Sequence, residues 1–251
     1  MNYPLAANCA AVIPCFNEDQ TIGPLVSKLL KKLFYVVVVD DGSTDLTSLK
    51  AQDGGALVIR HESNLGKGAS LQTGLSHLHD LGFEWAVMLD GDGQHAPADL
   101  PMLLRCAEQT GAPLVIGNRM HDTLAMPWLR RHVNRWMSQK LSRFAGRHLP
   151  DSQSGFRLIH LPTWASLYLT ARHFEVESEM LMAFLAAKHP VEFVPIRVIP
   201  AVRKSRIHPI TDTLRWMKWW RKIKTPPAHR PETKITASQS ATAAQKIYLP
   251  S

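Results

Sequence analysis

Val36-Val37-Val38-Val39-Asp40-Asp41-Gly42-Ser43-Thr44-Asp45 decides how the chain folds. Four consecutive valines present no polar face, so the run reads as a strand covered on both sides, the position of a strand inside a parallel sheet flanked by helices. It ends on an acidic pair, and the Gly-Ser-Thr turn that follows can cap a helix through Ser43 or Thr44. Working outward, the same strand-turn-helix unit recurs. Strands are predicted at Cys9 to Pro14, Tyr35 to Asp40, Ala56 to Arg60, Trp85 to Asp90 and Leu114 to Asn118. Helices are predicted at Glu18 to Lys32, Thr44 to Gln52, Lys67 to Leu81 and Ala98 to Gln109. This alternation is that of a mainly parallel, Rossmann-like sheet with helices on both faces, which gathers its ligand site at the carboxyl ends of the strands. Beyond Pro150 the pattern changes to a strand from Gly155 to His160, a helix from Val176 to Lys188 and an extended run from Glu192 to Ile199. Pro195 and Pro200 put that last run at a sheet edge.

With 251 residues, 45% of them hydrophobic, the chain suits one α/β domain, expected over residues 1–224. Residues 225–251 are rich in Pro, Thr, Ala, Ser and Gln and are expected to form a flexible tail. No apolar run reaches the roughly 20 residues of a membrane span. The amino terminus lacks a basic segment and cleavage site of the secretory kind, so a cytoplasmic location is expected. Cys9, Cys15 and Cys106 have neither metal nor disulfide spacing and read as reduced thiols.

The net charge of +8 calls for an anionic partner. It is concentrated in two segments. Arg130, Arg131, Arg135, Lys140, Arg143 and Arg147 occur without an acidic neighbour, and Arg203, Lys204, Arg206, Arg215, Lys218, Arg221, Lys222 and Lys224 are opposed by Asp212 alone. Both segments carry tryptophans. On a helix at about 211–224, Trp216, Trp219, Trp220 and Ile223 share one side, a layout that suits either an anionic membrane interface or packing on the protein's own core.

Four strand-end motifs carry the chemistry. Leu89-Asp90-Gly91-Asp92-Gly93-Gln94-His95 aims two carboxylates, one residue apart, as oxygen ligands for a hard divalent cation, with room for phosphate oxygens. A polar turn after a strand is the plainer alternative. Asp40 and Asp41 stand where a base or ribose could be bound. Ile13-Pro14-Cys15-Phe16-Asn17-Glu18 closes the first strand. In Asn64-Leu65-Gly66-Lys67-Gly68 the glycines permit close backbone approach and Lys67 offers a cation to phosphate near a helix start.

In this order the four motifs resemble the nucleotide-sugar half of family 2 glycosyltransferases, with its P-x-Y-N-E, D-D-G-S-x-D, N-x-G-K-G and D-x-D segments. The resemblance covers about residues 8 to 120 and implies a GT-A fold, a nucleotide diphosphate sugar donor, and Mg²⁺ or Mn²⁺. It implies that Pro14, Phe16, Glu18, Asp40 and Asp41 lie around the base and ribose, with Lys67 among the donor contacts. Asp90, Asp92 and Gln94 would meet the metal and diphosphate. Phe16 replaces the family's usual Tyr and lacks its hydroxyl.

The later segments Gly117-Asn118-Arg119, Asp151-Ser152-Gln153-Ser154-Gly155-Phe156-Arg157, Phe174 to Glu179 and Arg203-Lys204-Ser205-Arg206-Ile207 resemble those of the polyprenyl-phosphate, dolichyl-phosphate mannosyltransferase-like branch. By that resemblance Arg119, Arg157, Arg203 and Arg206 contact phosphate, a role that suits the guanidinium fork. The expected reaction is inverting transfer of a hexose from a GDP- or UDP-sugar to a lipid phosphate at the inner face of the cytoplasmic membrane. Such an acceptor is already ionised, its second pKa being about 6, and needs cations more than a base. An alternative is transfer to a hydroxyl, with Asp151 as first candidate base and Glu177 as second. A further alternative is a non-catalytic protein whose basic clusters bind nucleic acid or membrane; nucleic acid is not expected as a partner, because that reading leaves the acidic motifs without a purpose. His132 to Trp136 and Asp212 to Trp216 resemble the Q-x-x-R-W signature of processive synthases but lack its Gln, and polymer synthesis is not expected. The oligomeric state is not legible.

Overall fold

The computed structural model describes residues 4–121, 126–200, 209–224 and 246–248, with 209–212, 224 and 246–248 described by their backbone alone. The strands are β1 (Cys9–Cys15), β2 (Val36–Asp40), β3 (Leu57–Arg60), β4 (Trp85–Met88), β5 (Leu114–Asn118), β6 (Arg157–His160), β7 (Val191–Pro195) and β8 (Lys246–Tyr248). The helices are α1 (Ile22–Leu30), α2 (Thr47–Asp53), α3 (Lys67–Asp80), α4 (Leu100–Thr110), α5 (Trp128–Ala145), α6 (Leu161–Ala165), α7 (Val176–Ala186) and α8 (Pro209–Lys224).

One sheet joins the strands in the order β7-β5-β6-β4-β1-β2-β3-β8. Pairing is parallel through β4, β1, β2 and β3 and between β5 and β7, whereas β6 runs antiparallel to both β4 and β5. β7 lies at one edge, as its prolines require. β8 pairs antiparallel with β3 at the other edge, Ile247 opposite Ile59. Those three residues depart from the expected tail; residues 225–245 lie outside the described ones.

Every residue of β2 is buried. Val36 and Val38 face a core layer with Ile22, Val26 and Leu29 of α1 and Leu103 and Leu104 of α4, and Val37 and Val39 face a layer with Leu71, Leu75 and Leu78 of α3 and Met180, Leu181 and Phe184 of α7. Each fully buried valine or leucine contributes about 1.5–3 kcal/mol, and the two-sided burial explains why the run is continuous rather than alternating.

The α8 tryptophans pack inward. Trp216 and Trp219 are buried, and Trp216 stacks on Trp220 and meets Trp136 of α5 at 5.5 Å between ring centroids. Its indole N–H donates to Ser178 Oγ at 2.9 Å. Of the two layouts the sequence allowed for this helix, the tryptophan stripe adopts core packing.

Candidate active site

The carboxyl ends of β1 and β2 are stitched together by the very residues that make their motifs. Asn17 N–H donates to Ser43 Oγ at 2.7 Å, Thr44 N–H returns to Asn17 Oδ1 at 2.7 Å, and Glu18 N–H donates to Thr47 Oγ1 at 2.7 Å. Neither Ser43 nor Thr44 caps α2; Asp45 does, through Thr47 N–H at 3.0 Å. Phe16 remains 36% exposed, Pro14 and Glu18 are half-buried, and the Glu18 carbonyl receives the N–H groups of Thr21 and Ile22.

Asp40 and Asp41, expected around the base and ribose, are engaged within the loops at the ends of β1, β2 and β3. Asp40 is fully buried, accepts from Ser43 N–H and Ser48 Oγ, and lies 3.3 Å from Arg60. Asp41 accepts from His61 Nδ1 at 2.7 Å and from the backbone N–H groups of Leu65 and Gly66 at 3.0 and 2.8 Å. Burial pushes the Asp41 carboxyl up, but these donors outweigh it and hold its pKa below the ordinary value. Both carboxylates build the loops and face inward.

The glycines of the Asn64 to Gly68 segment are packed closely against residues 171–173. The carbonyl of Arg172 accepts from Gly68 N–H at 2.7 Å and Ala69 N–H at 3.2 Å, capping the start of α3. A Cβ on Gly68 would fall 2.3 Å from the Ala171 carbonyl oxygen, and one on Gly66 2.3 Å from His173. Close approach is thus made by the Ala171 and Arg172 backbone and the His173 ring, and Thr170 and Ala171 donate to Glu179.

Lys67 is turned into a charge cluster at the end of β4. Its Nζ lies 2.5 Å from Asp90 Oδ1 and 2.5 Å from Glu177 Oε1. Burial opposes its charge, but the two carboxylates prevail and raise its pKa above the usual lysine value. Asp90 Oδ2 faces His95 Nε2 at 3.4 Å. Burial would raise the Asp90 pKa, yet Lys67 and His95 hold it well below the carboxylate range. A Cβ on Gly155 would come within 2.6 Å of the Asp90 carboxylate, so the glycine of Ser154-Gly155-Phe156 is required by a side chain 65 positions earlier.

Asp92 and Gln94 are half-buried beside this cluster. Gln94 N–H donates to Asp92 Oδ1 at 3.0 Å, and Gln94 Oε1 accepts from Arg130 Nη1 at 2.9 Å. A strap after β7 crosses the loop: Ile199 N–H donates to the Gln94 carbonyl, and Arg197 grips Asp99 through both its backbone N–H and its guanidinium. Two carboxylates and an amide oxygen are hard donors suited to Mg²⁺ or Mn²⁺. No group of three or more His, Cys, Asp or Glu side chains with metal-holding geometry occurs among the described residues. Asp90, Asp92 and the Gln94 amide oxygen are thus a partial ligand set of suitable chemistry, which a cation would have to complete with water or phosphate oxygens.

The second-half residues Arg119, Asp151 and Arg157 are held in buried networks. Asp151 is fully buried and gripped by Arg119, with Nε to Oδ2 at 2.8 Å, Nη2 to Oδ1 at 3.0 Å and the Arg119 backbone N–H to Oδ2 at 3.0 Å. Burial works to raise its pKa, and Arg119 more than reverses this. Asp151, the first candidate base, thus has both carboxylate oxygens engaged by Arg119. Arg119 in turn is committed to Asp151 and is 3% exposed. Arg157 is fully buried, and its guanidinium donates to the carbonyls of Ser152, Ser154 and Glu177 at 2.9, 2.8 and 2.7 Å. Burial lowers its pKa to about 10, so it keeps its charge at neutral pH while tying the 152–154 loop to α7. Arg203 and Arg206 lie outside the described residues.

Arg130 and His95, which the sequence did not single out, stand against Gln94 and Asp90. Arg130 gave no signal beyond membership in a basic segment. His95 stood inside a quoted motif; its backbone bridges Val198 and its ring faces Asp90, neither of which sequence spacing reveals. Cys9, Cys15 and Cys106 are free thiols. No helix among the described residues is long and apolar enough to cross a membrane.

Comparison with known proteins identifies the family and the fold. Residues 10–162 match the family model Glycosyl transferase family 2. An uncharacterised protein of Methanocaldococcus jannaschii is 34% identical over 196 residues, covering 75% of this chain and 80% of that protein. The UDP-N-acetylglucosamine–dolichyl-phosphate N-acetylglucosaminyltransferase of Methanococcus voltae is 29% identical over 211 residues, covering 75% of this chain and 84% of that enzyme. Among solved structures, glucosyl-3-phosphoglycerate synthase from Mycobacterium tuberculosis in complex with Mn²⁺ and UDP-glucose superposes with a TM-score of 0.69 at 20% identity, covering 98% of this chain and 89% of that one, a likeness of fold. With the four strand-end motifs in register on a shared GT-A sheet and the family model spanning them, this chain belongs to glycosyl transferase family 2 and is a glycosyltransferase.

Proposed function

We propose that the protein transfers a hexosyl group, with inversion, from a nucleoside diphosphate sugar such as a GDP- or UDP-sugar to a polyprenyl or other lipid phosphate at the cytoplasmic face of the membrane. The observation that carries this reading is the sealed Arg119–Asp151 pair. The carboxylate best placed in sequence to serve as a base is unavailable, and an acceptor that arrives already ionised needs none. Glu177, the second candidate base, is engaged by Lys67.

Phe16, exposed at the end of β1, offers a ring face to the base, with Pro14 and Glu18 beside it. Asp90, Asp92 and the Gln94 amide oxygen would hold the divalent cation. Such a cation, when bound, neutralises charge developing on the departing diphosphate. Arg130, poised on Gln94, brings a guanidinium to the same mouth. Arg203 and Arg206 follow the Ile199 strap by four and seven positions and remain the proposed contacts of the acceptor phosphate. For the membrane we assign the outer face of α5 in place of the α8 tryptophans. Trp128, Leu129 and Trp136 are exposed there with Arg135 and Arg143, an amphipathic and basic surface suited to anionic lipid.

Purified protein incubated with Mn²⁺, polyprenyl phosphate and a panel of GDP- and UDP-sugars is expected to release nucleoside diphosphate and form a lipid-linked sugar. Release that proceeds equally well when the lipid phosphate is replaced by its free alcohol would defeat the acceptor assignment.

A further inference from the structure

Lys67 joins two parts of the molecule. Through Asp90 it belongs to the end of β4, and through Glu177 it belongs to the first turn of α7, each contact being 2.5 Å. Its ammonium stands 5.6 Å from the centre of the Phe174 ring, and its side chain is 13% exposed. Its backbone is fixed, because the Arg172 carbonyl clasps the next two N–H groups. An ammonium on a carboxylate oxygen takes both the position and part of the negative charge that a divalent cation would use.

We infer that Lys67 is a positioning residue, an internal counter-ion of Asp90 that disfavours a bare divalent cation and makes cation binding depend on the diphosphate arriving with it. This rests on the reading of Asp90 and Asp92 as cation ligands. A bare cation approaching Asp90 meets Lys67, with Arg130 at Gln94 close by and Arg119 and Arg157 in the same field. A diphosphate brings the negative charge that relieves this repulsion. Glu177 supplies the second seat: when Asp90 turns to the cation, Lys67 keeps a carboxylate and the Phe174 ring and is not left unpaired in a largely buried place. The α3 start and the α7 start thereby sense the same event.

The test is a Mn²⁺ titration of the full chain, read from the paramagnetic resonance signal of free Mn²⁺, without nucleotide and with saturating UDP or GDP. The unaltered protein is expected to bind Mn²⁺ at least about tenfold more tightly when nucleoside diphosphate is present. Lys67→Met is expected to tighten nucleotide-free binding by about tenfold and to shrink the nucleotide dependence by the same factor. Glu177→Gln leaves Lys67 with Asp90 alone and is expected to weaken it; a role in packing alone gives no such opposition of sign. Because Lys67→Met leaves Glu177 buried without its partner, the double variant Lys67→Met/Glu177→Gln is measured beside it and is also expected to bind bare Mn²⁺ more tightly than the unaltered protein. If Mn²⁺ binding is abolished by Asp92→Ala yet unchanged or weaker in the double variant, the role of Lys67 is overturned and the cation site stands. If the unaltered protein binds no Mn²⁺ with either nucleotide, the cation site is overturned and this inference with it.

Discussion

The loop after β4 and the loop before β6 are built from the same chemistry, acids next to bases beside glycine, and they are buried to different degrees. In Asp90 to His95 the carboxylates are partly open: the Asp90 side chain is 20% exposed and Asp92 is half-buried. In Asp151 to Arg157 the acid and the base are both fully buried and consumed, one by Arg119 and the other by three backbone carbonyls. Burial, rather than residue type, separates the two loops. Gly155 couples the two loops, since its missing side chain is the space in which the Asp90 carboxylate sits.

The contrast breaks most sharply at Asp151. Asp151→Ala leaves Arg119 buried without a counter-charge and is expected to cost about 3–5 kcal/mol of stability, measurable by urea unfolding. Loss of turnover with unaltered stability would reverse the assignment and restore Asp151 as a reacting group. Asp92→Ala should do the opposite: nucleoside diphosphate release falls on the order of 10²- to 10³-fold while the melting temperature stays near that of the unaltered protein. A variant that melts early but turns over normally would make Asp92 part of the scaffold.

Acid sharpens the same comparison. Asp41 and Asp151 have folded pKa values below the ordinary 3.8, so their contribution to stability is present above that value and disappears as pH falls through the lowered folded values. Unfolding free energy should therefore be nearly level with respect to these groups from pH 7 to about 5 and drop below pH 4. Asp151→Asn should show a shallower drop; an identical acid limb in both proteins would count against the pair. The smallest effects concern the tryptophans. Trp216→Phe removes one buried N–H bond to Ser178 and is expected to cost about 1–3 kcal/mol without changing vesicle binding. Trp128→Ala should leave stability within about 0.5 kcal/mol and weaken sedimentation with anionic vesicles several-fold.

Much of the fold was legible because local patterns and global packing agree. The strand runs, the edge position of β7 and the order of the four motifs all follow from hydrophobic continuity, proline chemistry and strand-end turns. The site was legible only in part. Asp90, Asp92 and Gln94 stand together at one loop, as their spacing implies. Asp40, Asp41 and Arg157 belong to motifs the resemblance marked as functional, yet their side chains turn inward to hold loops, and spacing carries no record of that turn. Arg130 approaches Gln94 from a helix 36 positions away, a contact invisible to any local pattern.

The sequence alone determined the class of fold, the family and the end of the sheet where chemistry gathers, because periodicity and strand-end motifs are encoded within a few neighbouring residues. The tertiary structure alone decided which charges remain available. Whether a carboxylate meets solvent, a lysine or an arginine depends on which distant loop folds over it, and the energy of a charge is set by those surroundings.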